Sequence, residues 1–93
     1  MIKHILEEEK IFIIGSLTQE DHMRDIAKKY SNAKYVHKQP EKSFEQLVSE
    51  AFDNIDDAET VIALHKPDGS FGQGTTYELE YAKRLNKNIQ IVD

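Results

Sequence analysis

The sequence predicts an α/β domain: a small doubly wound parallel sheet of about four strands in the order 2-1-3-4, with helices on both faces. Three observations predict it. Short apolar runs rich in β-formers alternate along the chain with stretches whose apolar residues recur at helical spacing. The clearest run, Ile11-Phe12-Ile13-Ile14, is continuous and not alternating, the pattern of a strand buried on both faces. No linker, repeat or low-complexity segment interrupts the pattern, so residues 1–93 read as a single domain.

Lys10 to Gly15 (K-I-F-I-I-G) is the first strand, ended by glycine. After Ser16-Leu17-Thr18, a helix from about Glu20 to Ser31 places Met23, Ile26, Ala27 and Tyr30 on one buried face. Tyr35-Val36-His37 is a short, more polar strand, suited to a sheet edge and stopped by Pro40. Ser43-Phe44-Glu45-Gln46 has the form of a capping box, and Leu47, Val48, Ala51, Phe52 and Ile55 behind it mark a second amphipathic helix. Ala58 to Lys66 is the third strand, closed by the turn residues Pro67-Asp68-Gly69. A third helix runs from about Thr75 to Asn86 with Leu79, Ala82 and Leu85 as core positions, and Ile89-Gln90-Ile91-Val92 is the last strand. A βαβαβαβ order with right-handed crossovers gives a Rossmann/flavodoxin-like sheet. Ligands of such sheets lie beyond the carboxyl ends of the strands, where the winding reverses. That rule predicts one crevice faced by Gly15-Ser16 and by His65-Lys66 with the loop to Gly74.

Charge and composition exclude several classes. The net charge of -5 repels polyanions, and Lys28, Lys29, Lys34, Lys38, Lys83 and Lys87 are scattered among acids, so no nucleic-acid partner is expected. With no cysteine there are no disulfides, thiolate zinc sites or cysteine nucleophiles, which fits a reducing compartment. The apolar runs are too short to span a bilayer and no signal-peptide pattern opens the sequence, so the expected partners include no membrane and the expected location is the cytoplasm. His4, His22, His37 and His65 share no metal-ligand spacing, so neither a metal nor another cofactor is expected. A domain this small buries a modest core, which points to a homo-oligomer, a dimer first of all.

The chemistry-bearing stretch is G-Q-G-T-T-Y-E-L-E-Y-A, residues 72–82, where a strand hands over to a helix. With K-I-F-I-I-G, A-E-T-V-I-A-L and the following Y-A-K-R-L-N-K-N-I-Q-I-V, it resembles the nucleoside 2-deoxyribosyltransferase family and its relatives that hydrolyse nucleotide N-glycosidic bonds. A more distant likeness is to a Rossmann-like nucleotide-binding group with the signature P-G-G-x-G-T-x-x-E, of which the G-T-x-x-E half is present. The family resemblance implies a transferase or hydrolase in which Glu78 is the nucleophile that attacks the anomeric carbon, a role suited to a carboxylate facing an oxocarbenium-like transition state. It implies that Gly72 and Gly74 let backbone N–H groups approach a ribose or phosphate at a helix start. Thr75 and Thr76 would donate hydroxyls there, with Gly15 and Ser16 across the same crevice. Glu59 stands where family members often carry an aspartate before the strand. The full transferases continue past this point and close the sugar site with C-terminal segments, partly from a neighbouring subunit. The sequence ends at its fourth strand, so the expectation is a site without that closure.

Several residues carry two readings. Thr75-Thr76-Tyr77-Glu78 is also a capping box, which would give Glu78 a purely structural role. Against it, Glu78, Tyr81, Ala82 and Leu85 lie on one helical face directed at the sheet, where an unused carboxylate is costly. Tyr77 and Tyr81 can stack on a base or serve packing. Glu7 to Lys10 reads as a solvated lead-in, and Asp56 and Asp57 as solvated or capping groups on the side away from the crevice. The leading expectation is a protein that binds a nucleoside or nucleoside monophosphate and cleaves or transfers at its N-glycosidic bond. The alternatives are a non-catalytic nucleotide sensor or ligand sink using the same cleft, and an interaction subunit whose cleft is vestigial.

Overall fold

The computed structural model describes residues 10–30 and 32–92. His4 and the glutamates at 7–9 lie outside the described residues. The elements are β1 (Ile11–Ile14), a 3-10 turn (Leu17–Gln19), α1 (Glu20–Ala27), β2 (Ala33–Tyr35), α2 (Phe44–Asp57), β3 (Thr60–Leu64), α3 (Gln73–Arg84) and β4 (Asn88–Val92). All strand pairings are parallel and the order is β2-β1-β3-β4, the Rossmann/flavodoxin-like arrangement that the alternation predicts.

The two-residue period of the strands divides the core into two layers. Ile11, Ile13, Ile62 and Leu64 pack with Met23 and Ile26 of α1 on one face. Phe12, Ile14, Val61 and Ala63 pack with Ala51 and Ile55 of α2 and Leu79 and Ala82 of α3 on the other. Each large side chain buried this way contributes about 1.5–3 kcal/mol, so β1 and β3, buried along their whole length, carry much of the stability.

Local signals fix the element ends, and the structure departs from the sequence reading at α1, β2 and the end of α3. The α2 box is present: Gln46 N–H donates to Ser43 Oγ at 3.1 Å, and Ser43 N–H donates to Gln46 Oε1 at 2.8 Å. Helix α1 stops at Ala27, short of Ser31, because the chain must turn back at Lys28–Tyr30 to enter β2; Tyr30 is therefore exposed and not on the buried face. The edge strand β2 is two residues earlier than Tyr35–His37, although Val36 N–H still donates to Ile13 O at 3.2 Å. Leu85 is exposed instead of core, since α3 ends at Arg84 and Asn86, at φ 58°, turns the chain into β4. Asparagine is among the few side chains that tolerate that left-handed conformation. Among the described residues no helix is long and apolar enough to cross a membrane.

Candidate functional site

The order β2-β1-β3-β4 puts the reversal of winding between β1 and β3, and a cleft of about 280 Å³ opens there, beyond their carboxyl ends. One side is Gly15, Ser16 and Leu17, the chain leaving β1; Val36 comes from the end of β2. Phe44, Leu47 and Val48 of the first turns of α2 form the apolar wall. Opposite them stand Gly72, Gln73, Gly74, Thr75 and Glu78 at the start of α3.

Glu78 is the chemical centre of this cleft. It is 5% exposed, and its Oε1 is buried without a hydrogen-bond partner. Burial among apolar neighbours disfavours the charged form and pushes its carboxyl up to about 8. The structure also removes the capping-box reading of Thr75–Glu78. Helix α3 begins at Gln73 with Gly72 as N-cap, so Thr75 is already inside the first turn and Glu78 lies in the second. Gly72 has no side chain to cap with, which leaves the first-turn amides of Gln73, Gly74 and Thr75 directed out of the helix end without a side-chain partner.

The other predicted positions separate into those that meet in the cleft and those that do not. Thr75 is buried in its wall. The Ser16 hydroxyl is within 2.8 Å of Thr18 Oγ1 and accepts from Thr18 N–H at 3.3 Å, holding the turn after β1. Gly15 lines the cleft, but packing explains its lack of a side chain: a Cβ there would lie 3.1 Å from Met23 Sδ and 3.3 Å from Leu64 Cβ. A Cβ on Gly74 would meet the Phe44 ring at 3.2 Å and Glu78 Oε2 at 3.9 Å, so this glycine keeps the cleft open. Thr76 does not line the cleft; its hydroxyl donates back to Gly72 O at 2.9 Å, because the helix turns it to the outer face.

His65 and Lys66 also fall outside the cleft lining. His65 Nδ1 is 2.6 Å from Lys66 O, its carbonyl accepts from Gln19 Nε2 at 3.3 Å, and its ring stands edge-on to Phe71. Glu59 is at the opposite end of β3, where Oε1 accepts from Lys10 N–H at 3.1 Å. Asp57 pairs with Lys10 and Asp56 accepts from the Tyr81 hydroxyl at 2.6 Å, both structural contacts. Tyr81 stacks on Phe52 with centroids 4.2 Å apart, which commits it to packing.

Sequence reasoning missed the apolar wall. Leu47 and Val48 read as ordinary core positions and Phe44 as part of a cap, yet all three face the cleft. The signal was present as a second stripe on α2, Phe44-Val48-Phe52, beside the Ala51-Ile55 stripe that faces the sheet. Two further grooves flank β2 and α2, lined in part by Lys34 and Asn54, but neither holds a buried unpartnered group. Among the described residues no group of acidic or histidine side chains is placed to hold a metal ion. No protein-family model matches the chain, and no curated protein matches its sequence.

Proposed function

We propose that the protein binds a nucleoside or nucleoside monophosphate in the Glu78 cleft and cleaves or transfers at its N-glycosidic bond. The observation that carries this reading is the Glu78 carboxyl, buried and unpartnered at the uncapped start of α3, beyond the carboxyl ends of a doubly wound sheet. An oxocarbenium-like transition state places positive charge at the anomeric carbon, so a desolvated carboxylate beside it is stabilised far more there than in the empty cleft. Glu78 attacks that carbon, the bond to the base nitrogen breaks and its electron pair leaves with the base. Water, or a second base, then displaces Glu78 from the glycosyl ester. The first-turn amides of α3 and Thr75 hold sugar or phosphate oxygens. The chain's lack of cysteine supports a cytoplasmic setting, and its small size supports a homodimer.

A second reading, capture of the ligand without turnover, is favoured by one observation. Among the described residues that line the cleft, Glu78 is the sole ionisable one, so none of them is a second acid for the leaving base. The two readings part in one experiment. Nucleosides and their monophosphates are tested for binding by thermal shift, and the binders are incubated with protein while free base is followed chromatographically. Binding with base release supports cleavage, binding alone supports capture, and no binding by any nucleoside or monophosphate overturns both.

A further inference from the structure

We infer that the base of the ligand is held outside the cleft proper, on the aromatic pair Phe44 and Tyr77, while its sugar lies over Glu78. This rests on the nucleoside reading above and names the residues that would set base recognition. Phe44 is 50% exposed and Tyr77 48%, an unusual cost for two large rings at a cleft mouth. Their centroids are 6.4 Å apart at 63°, so the pair presents an angled aromatic surface to solvent.

Phe44 and Val48 belong to two hollows at once. One is the Glu78 cleft; the other is an adjoining groove of about 390 Å³ whose walls include Phe52 and Tyr77. The hollows therefore meet along one side-chain edge. The inner hollow holds the Glu78 carboxyl, Thr75 and the first turn of α3 against the apolar Phe44, Leu47 and Val48; the outer one sets the Phe44, Phe52 and Tyr77 rings beside Glu45 and Ser49. A nucleoside has two matching parts, a hydroxyl-bearing sugar for the Glu78 carboxyl and the α3 start and a flat base for the rings.

The aromatics are not equivalent. Phe52 and Tyr81 already stack on each other at 8°, which occupies a face of each ring. Tyr77 is free of such a stack, and its hydroxyl lies 3.3 Å from Gln73 Nε2, a weak contact that a base edge can replace. Tyr77 and Gln73 are four residues apart, so they project from one face of α3 toward the same place. Phe44 supplies the opposing ring, and Gly74 makes room for it.

The test titrates wild type, Phe44→Ala and Phe44→Leu with 2′-deoxyadenosine and with 2-deoxyribose 5-phosphate, following Tyr77 and Gln73 by NMR. Phe44→Leu keeps apolar volume without a π face, so it guards against a misfolded alanine variant. Deoxyadenosine is expected to shift the Tyr77 and Gln73 signals, and both variants to bind it about 10- to 100-fold more weakly, the scale of one base stack. The sugar phosphate, which has no base, is expected to lose far less affinity than deoxyadenosine in either variant. Equal deoxyadenosine affinity in wild type and Phe44→Leu overturns the inference and leaves the nucleoside reading standing. Deoxyadenosine failing to bind wild type at all overturns the inference, and the parent reading falls with it if no other nucleoside or monophosphate binds. Variants that lose self-association while keeping nucleoside affinity would assign the pair to a subunit contact, and would overturn it too.

Discussion

Burial sets what Glu78 can do at a given pH. Its carboxyl is raised from an ordinary 4.5 to about 8, so in the folded protein it stays neutral over a range where the unfolded chain has already ionised. The folded state holds the extra proton there, and stability must fall as pH rises through that window. The contribution is fully present below about 4.5, declines toward 8, and is lost above it. At about 1.4 kcal/mol per unit the whole window amounts to on the order of 5 kcal/mol. Glu78→Gln keeps the shape but cannot ionise, so its melting temperature is expected to rise relative to wild type steadily from pH 5 to pH 9. Parallel melting curves for the two proteins across that range would mean that the carboxyl is not buried. The same proton governs chemistry with the opposite sign. A nucleophile must be ionised, so base release by wild type is expected to increase up to about pH 8 and to fall by about 100-fold or more in Glu78→Gln. The residue was legible in the sequence because it sits on the sheet-facing stripe of its helix. Its role was not, since T-x-x-E is compatible with both a cap and a cleft, and the choice turned on whether the helix starts at Thr75 or at Gln73.

Two helix starts frame the cleft, and they are built in opposite ways. Helix α2 is closed by a reciprocal box between Ser43 and Gln46, whereas α3 starts on Gly72 with nothing to cap it. Ser43→Ala removes the α2 cap and is expected to cost about 1 kcal/mol. A shift of roughly 4–8 °C in melting temperature would register that loss in a domain of this size. At the α3 start, Gly74→Val fills the space between Phe44 and Glu78, and a first-turn position tolerates a larger residue, so folding should persist. Deoxyadenosine binding should then be lost, as the cleft is closed from the helix side; unchanged affinity in a folded Gly74→Val protein places the ligand elsewhere. The strands were easier to read than these ends. Ile11–Ile14 and Val61-Ile62-Ala63-Leu64 are continuous apolar runs because both faces of β1 and β3 are covered. Helix ends depend on where the chain must turn to reach the next strand, which explains the early stop of α1 and the exposure of Leu85. The apolar wall at Phe44 depends on which of two stripes faces α3, a tertiary choice that local pattern does not encode.

At the scale of the molecule, strand order followed from chain order because right-handed crossovers leave few arrangements for four parallel strands. Among the described residues the same order leaves two sheet edges, β2 and β4, and the sequence there guards only β2. Strand β2 is three residues long, carries Lys34 and is followed by Pro40, all features that discourage pairing with another chain. Strand β4, N-I-Q-I-V, has neither charge nor proline, and its Ile91 is exposed. An open edge of that kind is a template for a second copy, and a net charge of -5 is small enough for edge pairing to outweigh repulsion at physiological ionic strength. A homodimer joined edge to edge through β4 is therefore expected, and light scattering at micromolar concentration should return twice the chain mass. Ile91→Lys places a charge on that edge and should return a monomer. Because β4 contributes nothing to the lining of the Glu78 cleft, the monomeric variant should bind deoxyadenosine as wild type does. A monomeric wild type removes the dimer; an Ile91→Lys variant that is monomeric and no longer binds shows instead that the cleft is completed by the neighbouring subunit.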